Sequence, residues 1–405
     1  MMGCPSSRTI NLPPARNPNT NTTPTPTEAL KFLQKCTTLP QTKLAHAKIV
    51  RNGLHQHQLI AASLIRLYSS CGCLDYAASV FQLFDNPTTF IWNLIIRAHT
   101  VNGQPAQAIV LYNSMICSGV GADKFTLPFV MKACLACSLV DKAREVYGLA
   151  VRTGLSEDIY LGNVLLDLYF KSGLLYDGLR MFDKMRAKNV VSWTTVIAGL
   201  VRNGRIDVAQ RFFNKMPAKN VVSWSSMIHG YSKRENPGRA LEVFVEAQSN
   251  NVRPNEYMLV GVLTACAELG SLRFGGSVHG FAVRNGFESG VFLGTALVDM
   301  YSKCGSLGRA RRVFGNMDAK SVATWNVMIS SFGVHGFHKE AVACFEMMEK
   351  MGVKPDAVTF AGLISACLKM ESLERGREYF YCMLNRYEVK PSFEHYVLID
   401  ELPGG

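Results

Sequence analysis

The sequence of 405 residues predicts an all-α fold, an α-solenoid superhelix of stacked helix–turn–helix repeats of 31, 35 and 36 residues. Three observations predict it. A tryptophan-centred pattern occurs four times, a glycine recurs at a fixed position, and small and aromatic residues recur beyond that glycine at helical spacing. One hairpin of two such helices cannot bury its own apolar face, so neighbouring hairpins must stack. The periodicity leaves the hand of the superhelix open.

The four tryptophans set the register of the repeats. They are separated by 101, 31 and 101 residues, and an interval of 101 accommodates two spacings of 35 and one of 31. The segments around them read IWNLII, SWTTVI, SWSSMI and TWNVMI, centred on Trp92, Trp193, Trp224 and Trp325. Repeats 1 to 10, in chain order, are therefore predicted at 58–88, 89–123, 124–158, 159–189, 190–220, 221–255, 256–290, 291–321, 322–356 and 357–392. The array covers 28–392, with a degenerate half-repeat at about 24–57 and a truncated last repeat at 393–405.

Each repeat has the pattern of two helices joined by a turn. Apolar residues at positions four, seven and eight form one face of the first helix. Positions 20, 24 and 27, for instance Ala209, Phe213 and Met216, have the i, i+4, i+7 spacing of a second helix. A glycine at position fifteen can adopt the left-handed conformation that ends the first helix. These glycines are Gly72, Gly103, Gly173, Gly204, Gly305 and Gly336.

The first 27 residues differ in composition from the rest of the chain. They contain no Asp or Glu, are rich in Pro, Ser, Thr and Asn, and have only Arg8 and Arg16 as charged side chains. Such a segment cannot bury enough apolar surface to fold, and it lacks the apolar core of a secretory signal. An acid-free, hydroxyl-rich start is typical of an organelle transit peptide. We predict a disordered transit peptide at 1–27, with a merely disordered tail as the alternative.

Charge and hydropathy limit the classes of function. The formal net charge of +12 favours a polyanionic partner, because clustered Lys and Arg attract phosphate groups. No apolar run approaches the roughly 18 residues that a membrane span needs, so we expect no membrane partner. Twelve cysteines are too few for a disulfide scaffold. Position eleven of repeats 3, 7 and 10 holds Cys134, Cys266 and Cys367, which indicates buried thiols rather than metal ligands.

The alternation of 35-, 35- and 31-residue repeats resembles the plant pentatricopeptide repeat family, in particular its P–L–S subclass. The segments LVDMYSKCGSLGRARRVF at 297–314 and VVSWSSMIHGYSK at 221–233 carry the likeness, which covers about 24–400. Tetratricopeptide repeats fit less well, because they have a uniform period of about 34 residues and a W-x₂-L-G-x₂-Y core. In the terms of the subclass, repeats 2, 6 and 9 are P-type, repeats 3, 7 and 10 are L-type, and repeats 1, 4, 5 and 8 are S-type.

The resemblance implies that each repeat holds one nucleotide of single-stranded RNA. In the family, the fifth and last residues of a repeat contact the Watson–Crick edge of the base. An Asn amide offers both a donor and an acceptor for this purpose. The implied base-reading pairs are Asn93 and Asp123 in repeat 2, Asn163 and Asn189 in repeat 4, Thr194 and Asn220 in repeat 5, Ser225 and Asn255 in repeat 6, Thr295 and Ser321 in repeat 8, and Asn326 and Asp356 in repeat 9.

The family associates these pairs with particular bases. Asn with Asp is associated with uracil, Asn with Asn with a pyrimidine, and Thr or Ser with Asn with adenine. The pair in repeat 8 is ambiguous. No base is implied by Ala62 with Thr88, Pro128 with Asp158, Val260 with Gly290, or Ala361 with Ser392. With the N-terminus on the 5′ side, repeats 1 to 10 imply the target n-U-n-Y-A-A-n-n-U-n.

Two further positions complete the implied RNA site. Position two, which in the family stacks on bases, holds Phe90, Phe125, Tyr160, Val191, Val222, Tyr257, Phe292, Ala323 and Val358. These residues could instead be ordinary apolar residues at a helix start. Position thirteen holds candidate phosphate contacts, namely Lys171, Arg202, Lys233, Lys303 and Lys369. Solvated surface charge is the alternative for these cations.

The sequence predicts no chemistry of its own. Some members of the subclass end in a deaminase-like domain, whose zinc site needs H-x-E followed by P-C-x-x-C. His338, Lys339 and Glu340 match the first half, but no P-C-x-x-C follows. Phosphate-binding, dinucleotide-binding and nucleophile-elbow motifs are also absent from the sequence. We therefore predict a chain that lacks the deaminase-like domain, is not an enzyme, and has no catalytic residues, metal ligands or cofactors.

Two functions follow as hypotheses. The first is a monomeric, sequence-specific RNA-binding protein of the chloroplast, with the mitochondrion as the alternative. It would act in transcript processing, stability, splicing or editing-site recognition, with editing or processing factors recruited in trans. The second is a protein–protein interaction scaffold, because α-solenoids also bind peptides. The regular pairs of Asn, Thr or Ser at position five with Asn or Asp at the last position favour RNA, because a peptide groove has no reason to keep them.

Overall fold

The computed structural model describes residues 25–155, 158–233, 236–287, 290–368 and 373–400. These residues form 23 α-helices and no strand, which confirms the all-α class. The chain divides into two compact units, Met1–Leu165 and Leu166–Gly405. None of the helices in the described ranges is long and apolar enough to span a membrane.

The helices of the first compact unit are α1 Pro26–Gln34, α2 Leu39–Arg51, α3 Gln58–Ser70, α4 Leu74–Gln82, α5 Thr89–Val101, α6 Pro105–Cys117, α7 Leu127–Ala136 and α8 Val140–Arg152. Helix α9, Ile159–Lys171, contains the division between the units. The second compact unit continues with α10 Leu175–Lys184, α11 Val190–Arg202, α12 Ile206–Lys215, α13 Val221–Ser232, α14 Pro237–Ser249, α15 Glu256–Glu268, α16 Leu272–Arg284, α17 Val291–Lys303, α18 Leu307–Asn316, α19 Val322–Val334, α20 His338–Lys350, α21 Ala357–Leu368, α22 Leu373–Asn385 and α23 Phe393–Asp400.

Each predicted repeat contains two helices, and in nine of the ten repeats the first helix starts at the first residue of the repeat. Repeat 3 is the exception, since α7 starts only at Leu127. Pro128 has no N–H to donate to the carbonyl of Lys124. A regular helix therefore cannot start at Lys124, the first residue of repeat 3. Residues 124–126 form a turn instead, and the N–H groups of Thr126 and Leu127 donate to the Asp123 carbonyl at 3.0 and 3.2 Å.

The 31-residue repeats differ from the repeats of 35 or 36 residues mainly in the second helix. In the 31-residue repeats this helix has 9 or 10 residues, as in α4 and α12. In the longer repeats it has 13 residues, as in α6, α14 and α20. Because one turn of α-helix takes about 3.6 residues, the longer repeats carry roughly one extra turn.

The turn between the two helices uses the left-handed backbone conformation that the sequence predicts. All six predicted glycines have φ between 70° and 79°. The same position holds Gly270 in repeat 7, with φ 64°, and Ser138 in repeat 3, with φ 56°. Side chains with a Cβ rarely adopt this region, so Ser138 is strained where glycine is not.

Aromatic side chains join consecutive repeats. The phenylalanine at position 24 packs edge-to-face against the tryptophan at position four of the next repeat. In the second compact unit, the ring centroids of Phe213 and Trp224 are 4.7 Å apart, and those of Phe314 and Trp325 are 4.9 Å apart. The ammonium of Lys219 lies 5.2 Å from the Phe213 ring centroid, and that of Lys320 lies at the same distance from Phe314. Each edge-to-face aromatic pair contributes roughly 0.5–1.5 kcal/mol of stability beyond that from the burial of its surface area.

The helices at the two ends of the array can be compared with the boundaries predicted from the sequence. Helix α1 starts at Pro26 and so overlaps the last two residues of the predicted disordered transit peptide at 1–27, which stays a prediction; its residues 1–24 lie outside the described ranges. The predicted half-repeat contains two helices and is a whole hairpin. Its helix starts carry capping boxes, in which Thr25 pairs with Glu28 and Thr38 pairs with Gln41. At the other end, α23 is the one described helix of the predicted truncated repeat.

Candidate nucleic-acid interface

The first helices of consecutive repeats pack side by side within each compact unit, for example α13 on α15, α15 on α17 and α17 on α19. The residues at position two lie on their exposed surface. All nine are exposed, and among the eight larger ones the exposed fraction runs from 42 % at Phe90 to 81 % at Phe292. The tryptophan two positions later is buried at Trp92, Trp224 and Trp325. Exposed aromatic and aliphatic side chains in a regular row are not needed for the core, and they offer a surface for planar or apolar groups.

A cavity of about 630 Å³ lies between α17, α19 and α21. Its lining combines residues from four of the predicted functional positions. Ala323 and Val358 are at position two, Asn326 and Asp356 are the predicted reading pair, and Lys303 is at position thirteen. The structure therefore brings these predicted site residues together.

The predicted reading pair of repeat 9 forms a closed hydrogen-bond network with Thr359. The amide nitrogen of Asn326 donates to Asp356 Oδ1 at 2.8 Å. Thr359, the third residue of the next repeat, donates its hydroxyl to Asn326 Oδ1 at 2.6 Å. Its backbone N–H donates to Asp356 Oδ1 at 3.0 Å. The pair is thus fixed by a residue 33 positions further along the chain.

Repeat 2 has the same network. Asn93 donates to Asp123 Oδ1 at 2.9 Å, and the Thr126 hydroxyl donates to Asn93 Oδ1 at 2.6 Å. Burial raises the pKa of Asp123, but the hydrogen bonds from Asn93, from the Phe125 N–H and from Thr126 outweigh burial and hold the pKa below its usual value. Asp123 is therefore an anionic acceptor at neutral pH.

The pairs predicted to read adenine are arranged differently. Asn220 and Asn255 cap the following helices, accepting the N–H groups of Ser223 and Met258 at 2.9 Å each. Thr194 donates to the Val190 carbonyl of its own helix at 3.0 Å, and Ser225 donates to the Val221 carbonyl at 2.6 Å. The last residue of these repeats thus has a structural role as a helix cap.

The remaining predicted pairs lie in repeats 4 and 8. Asn163 is buried in the first compact unit, and Asn189 caps α11 in the second. In repeat 8, the hydroxyl oxygens of Thr295 and Thr324 are 2.7 Å apart, and those of Ser321 and Thr324 are 3.0 Å apart.

The predicted phosphate contacts fall into two groups. Lys171 lies 2.8 Å from Asp167, and Lys303 lies between Glu268 at 2.9 Å and Asp299 at 3.3 Å. Their charges are partly neutralised within the protein. In contrast, Arg202 and Lys233 line a cavity of about 410 Å³ beside Tyr257. Lys369 lies outside the described residues.

Three residues of this surface were not predicted from the sequence. Arg66 and Arg97, at position nine of repeats 1 and 2, line a cavity between α3 and α5. His229, at the same position of repeat 6, stacks on Tyr257 with ring centroids 3.9 Å apart, and its Nε2 lies 2.7 Å from the Tyr257 carbonyl oxygen. Position nine follows position two by seven residues, so both lie on one helix face. That spacing is the signal that could have identified them.

The cysteines at position eleven are buried, as predicted. Burial raises the pKa of Cys134 and of Cys266 to about 12, so both are thiols at neutral pH. Cys367 is also buried, and burial raises its pKa. Among the described residues, no group of three or more His, Cys, Asp or Glu side chains is arranged to hold a metal ion.

Family models of the pentatricopeptide repeat match the chain in several places. A model described as PPR repeat family matches 219–268 and 320–369. Two models described as PPR repeat match 188–217, and 90–120, 163–190 and 295–322. These segments overlap every predicted repeat except 1 and 3, and so include all the repeats with implied reading pairs.

Comparison with whole proteins extends this likeness. The chain is 46 % identical over 388 residues to the chloroplastic pentatricopeptide repeat-containing protein At3g26630 of Arabidopsis thaliana, covering 95 % of this chain and 83 % of the relative. It is 34 % identical to the chloroplastic pentatricopeptide repeat-containing protein CRR2 of the same plant, covering 89 % of this chain and 51 % of that relative. The chain therefore spans about half the length of the second relative.

A solved structure shares the fold. The crystal structure of the pentatricopeptide repeat protein PPR10 in complex with an 18-nt psaJ RNA element matches with a TM-score of 0.59 and 19 % identity. The match covers 89 % of this chain and 61 % of that one. The family of the chain follows from three findings, namely the helical hairpins, the repeated family-model matches and the 46 % identity. The chain belongs to the pentatricopeptide repeat family.

Proposed function

We propose that this protein binds single-stranded RNA in a sequence-dependent manner, with one nucleotide held by each repeat. The observation that carries the proposal is the row of exposed position-two side chains next to ordered polar pairs. Bases stack on such side chains irrespective of sequence, which contributes about 1–3 kcal/mol per base for aromatic residues. The net charge of +12 supports the same partner.

The reading pairs supply the sequence dependence in this proposal. In repeats 2 and 9 the Asn amide and the Asp carboxylate are held at hydrogen-bond distance from each other, beside the position-two side chains. The residue-by-residue resemblance assigns the target n-U-n-Y-A-A-n-n-U-n. PPR10, which has the same fold, was crystallised in complex with an 18-nt psaJ RNA element, and that complex supports RNA as the class of ligand.

The biological role is proposed from the same sources. We place the protein in an organelle, and first in the chloroplast, because the relatives At3g26630 and CRR2 are named chloroplastic. It would act as a monomer through occupancy of a transcript, without catalysis of its own. Processing, stability, splicing and editing-site recognition are the candidate steps, with any chemistry supplied by factors recruited in trans.

The experiment that tests the proposal is binding to a randomised RNA pool, followed by sequencing of the bound fraction. We expect enrichment of the assigned ten-nucleotide pattern. Equal affinity for matched and scrambled ten-mers would contradict it. A protein-interaction scaffold, the competing hypothesis, would enrich no RNA at all.

A further inference from the structure

The third residue of the repeat that follows each Asn/Asp pair is a threonine that bonds to that pair. Thr126 and Thr359 are fully buried, although each is a polar residue at the start of a first helix. Each hydroxyl donates to the amide oxygen of the preceding reading Asn at 2.6 Å. Five hydrogen bonds among the Asn, the Asp and the threonine occur in both networks, which indicates one arrangement rather than an accident of packing.

The network determines which way the Asn amide faces. A carboxylate accepts hydrogen bonds and donates none when ionised, so the amide nitrogen must face Asp356 or Asp123. The amide oxygen then faces the threonine hydroxyl, which donates to it. If the amide rotated by half a turn, its oxygen would face the carboxylate oxygen, and two acceptors would oppose each other. Thr359 and Asp356 together hold Asn326 in one orientation.

Amide orientation matters for the two pyrimidines. Uracil presents a donor at N3 and an acceptor at O4, whereas cytosine presents an acceptor at N3 and a donor at N4. An amide can pair with either edge, but the two edges require opposite orientations of its oxygen and nitrogen. An amide held in one orientation therefore discriminates between them, and a freely rotating one does not.

We propose that Thr126 and Thr359 are positioning residues that set discrimination between uracil and cytosine in repeats 2 and 9. This inference rests on the proposed RNA-binding function. Repeat 6 gives a contrast. In repeat 6 the reading residue is Ser225, which has no amide to orient, and the following repeat has Met258 at the third position.

The test uses Thr359→Val, which removes the hydroxyl and keeps the branched shape, and Thr359→Ser, which keeps the hydroxyl. Dissociation constants are measured for ten-mers with uracil or cytosine at the ninth nucleotide, and separately at the second. We expect Thr359→Val to reduce the uracil-to-cytosine preference at the ninth nucleotide about tenfold. The preference at the second nucleotide, read by the unaltered repeat 2, should stay the same. Thr359→Ser should preserve both.

Thr359 also caps α21, because its hydroxyl accepts the Asp356 N–H at 3.1 Å. Loss of the cap alone would lower the melting temperature and weaken all ten-mers equally, without changing either preference; that result would overturn the inference. An unchanged preference at the ninth nucleotide would also overturn it. If the wild-type protein shows no preference at either nucleotide, the proposed function fails and the inference falls with it. The uracil-to-cytosine preference of the wild-type protein thus distinguishes a failure of the inference from a failure of the proposed function.

Discussion

At the scale of single residues, the last residue of a repeat combines an observed role as a helix cap with a proposed role in base reading. Asn220 caps the next helix through its bond to the Ser223 N–H, and the resemblance assigns it to base reading. Asn, Asp and Ser are all preferred caps, so their recurrence at this position is explained in part by helix formation. The residue type at this position is therefore weaker support for RNA binding than the sequence pattern alone suggests.

Asn220→Asp separates the two roles. An Asp side chain still accepts the Ser223 N–H, so we expect the melting temperature to change by no more than about 1 °C. The preference for adenine at the fifth nucleotide should fall, because an amide donor is lost. Asn220→Ala is the comparison, and should lower stability by about 1 kcal/mol. If Asn220→Asp keeps the adenine preference, Asn220 is a cap and not a reading residue.

The basic side chains at position thirteen differ in how much charge they offer a phosphate. Replacement of Arg202 or Lys233 by Gln should weaken binding of every RNA and reduce the slope of log K against log salt by about 0.7. Lys171→Gln is the matched control. Its ammonium is already paired with Asp167 at 2.8 Å, so a smaller change in slope is expected. Salt titrations of the three variants check this, and equal slope changes would contradict it.

At the scale of elements, the turn between the two helices limits stability in repeat 3. Ser138 adopts φ 56°, a region that costs a residue with a Cβ roughly 1–2 kcal/mol. Gly103 occupies the same place in repeat 2 with φ 78°, and a Cβ there would meet no atom within 4 Å. A side chain at Gly103 would therefore meet no steric clash. Only the backbone conformation makes glycine the better residue at this place in the turn.

Ser138→Gly should therefore stabilise the protein by about 0.5–1 kcal/mol, after allowing for the extra freedom of glycine in the unfolded chain. Gly103→Ala should destabilise it by a similar amount. Denaturant unfolding measures both. Loss of stability in Ser138→Gly would show that the serine side chain makes a contribution larger than the strain.

At the scale of the whole molecule, the proposed reading depends on a fixed spacing of one nucleotide per repeat. Repeats 5, 6 and 9 lie in the second compact unit beyond Leu166. They are assigned to adenines at the fifth and sixth nucleotides and to uracil at the ninth. Two nucleotides without an assigned base separate the adenines from the uracil.

One extra nucleotide inserted between the sixth and ninth should lower affinity by about tenfold or more, because the adenines and the uracil can no longer be read together. Substitution of the seventh or eighth nucleotide, at constant length, is the control and should have little effect. Competition binding with these ten- and eleven-mers measures both. Equal binding of the inserted RNA would show that the repeats do not act in fixed register.

The sequence by itself determined the hairpins, their register and the left-handed turns, because these features depend on residues that are close along the chain. It also placed the position-two side chains at one end of each first helix, where the structure shows them exposed. It did not reveal that the segment at 24–57 is a whole hairpin, although the capping boxes at Thr25 and Thr38 were readable signals.

Only the tertiary structure decided how the polar groups of the site are held. Thr126 and Asn93 are 33 residues apart and meet across a repeat boundary, so no local pattern connects them. The neutralisation of Lys303 by Glu268, 35 residues earlier, likewise depends on the packing of one first helix on another. Local spacing fixes where a side chain lies on its own helix. Its partners on the neighbouring repeat, and hence its charge and orientation, are set only when the hairpins stack.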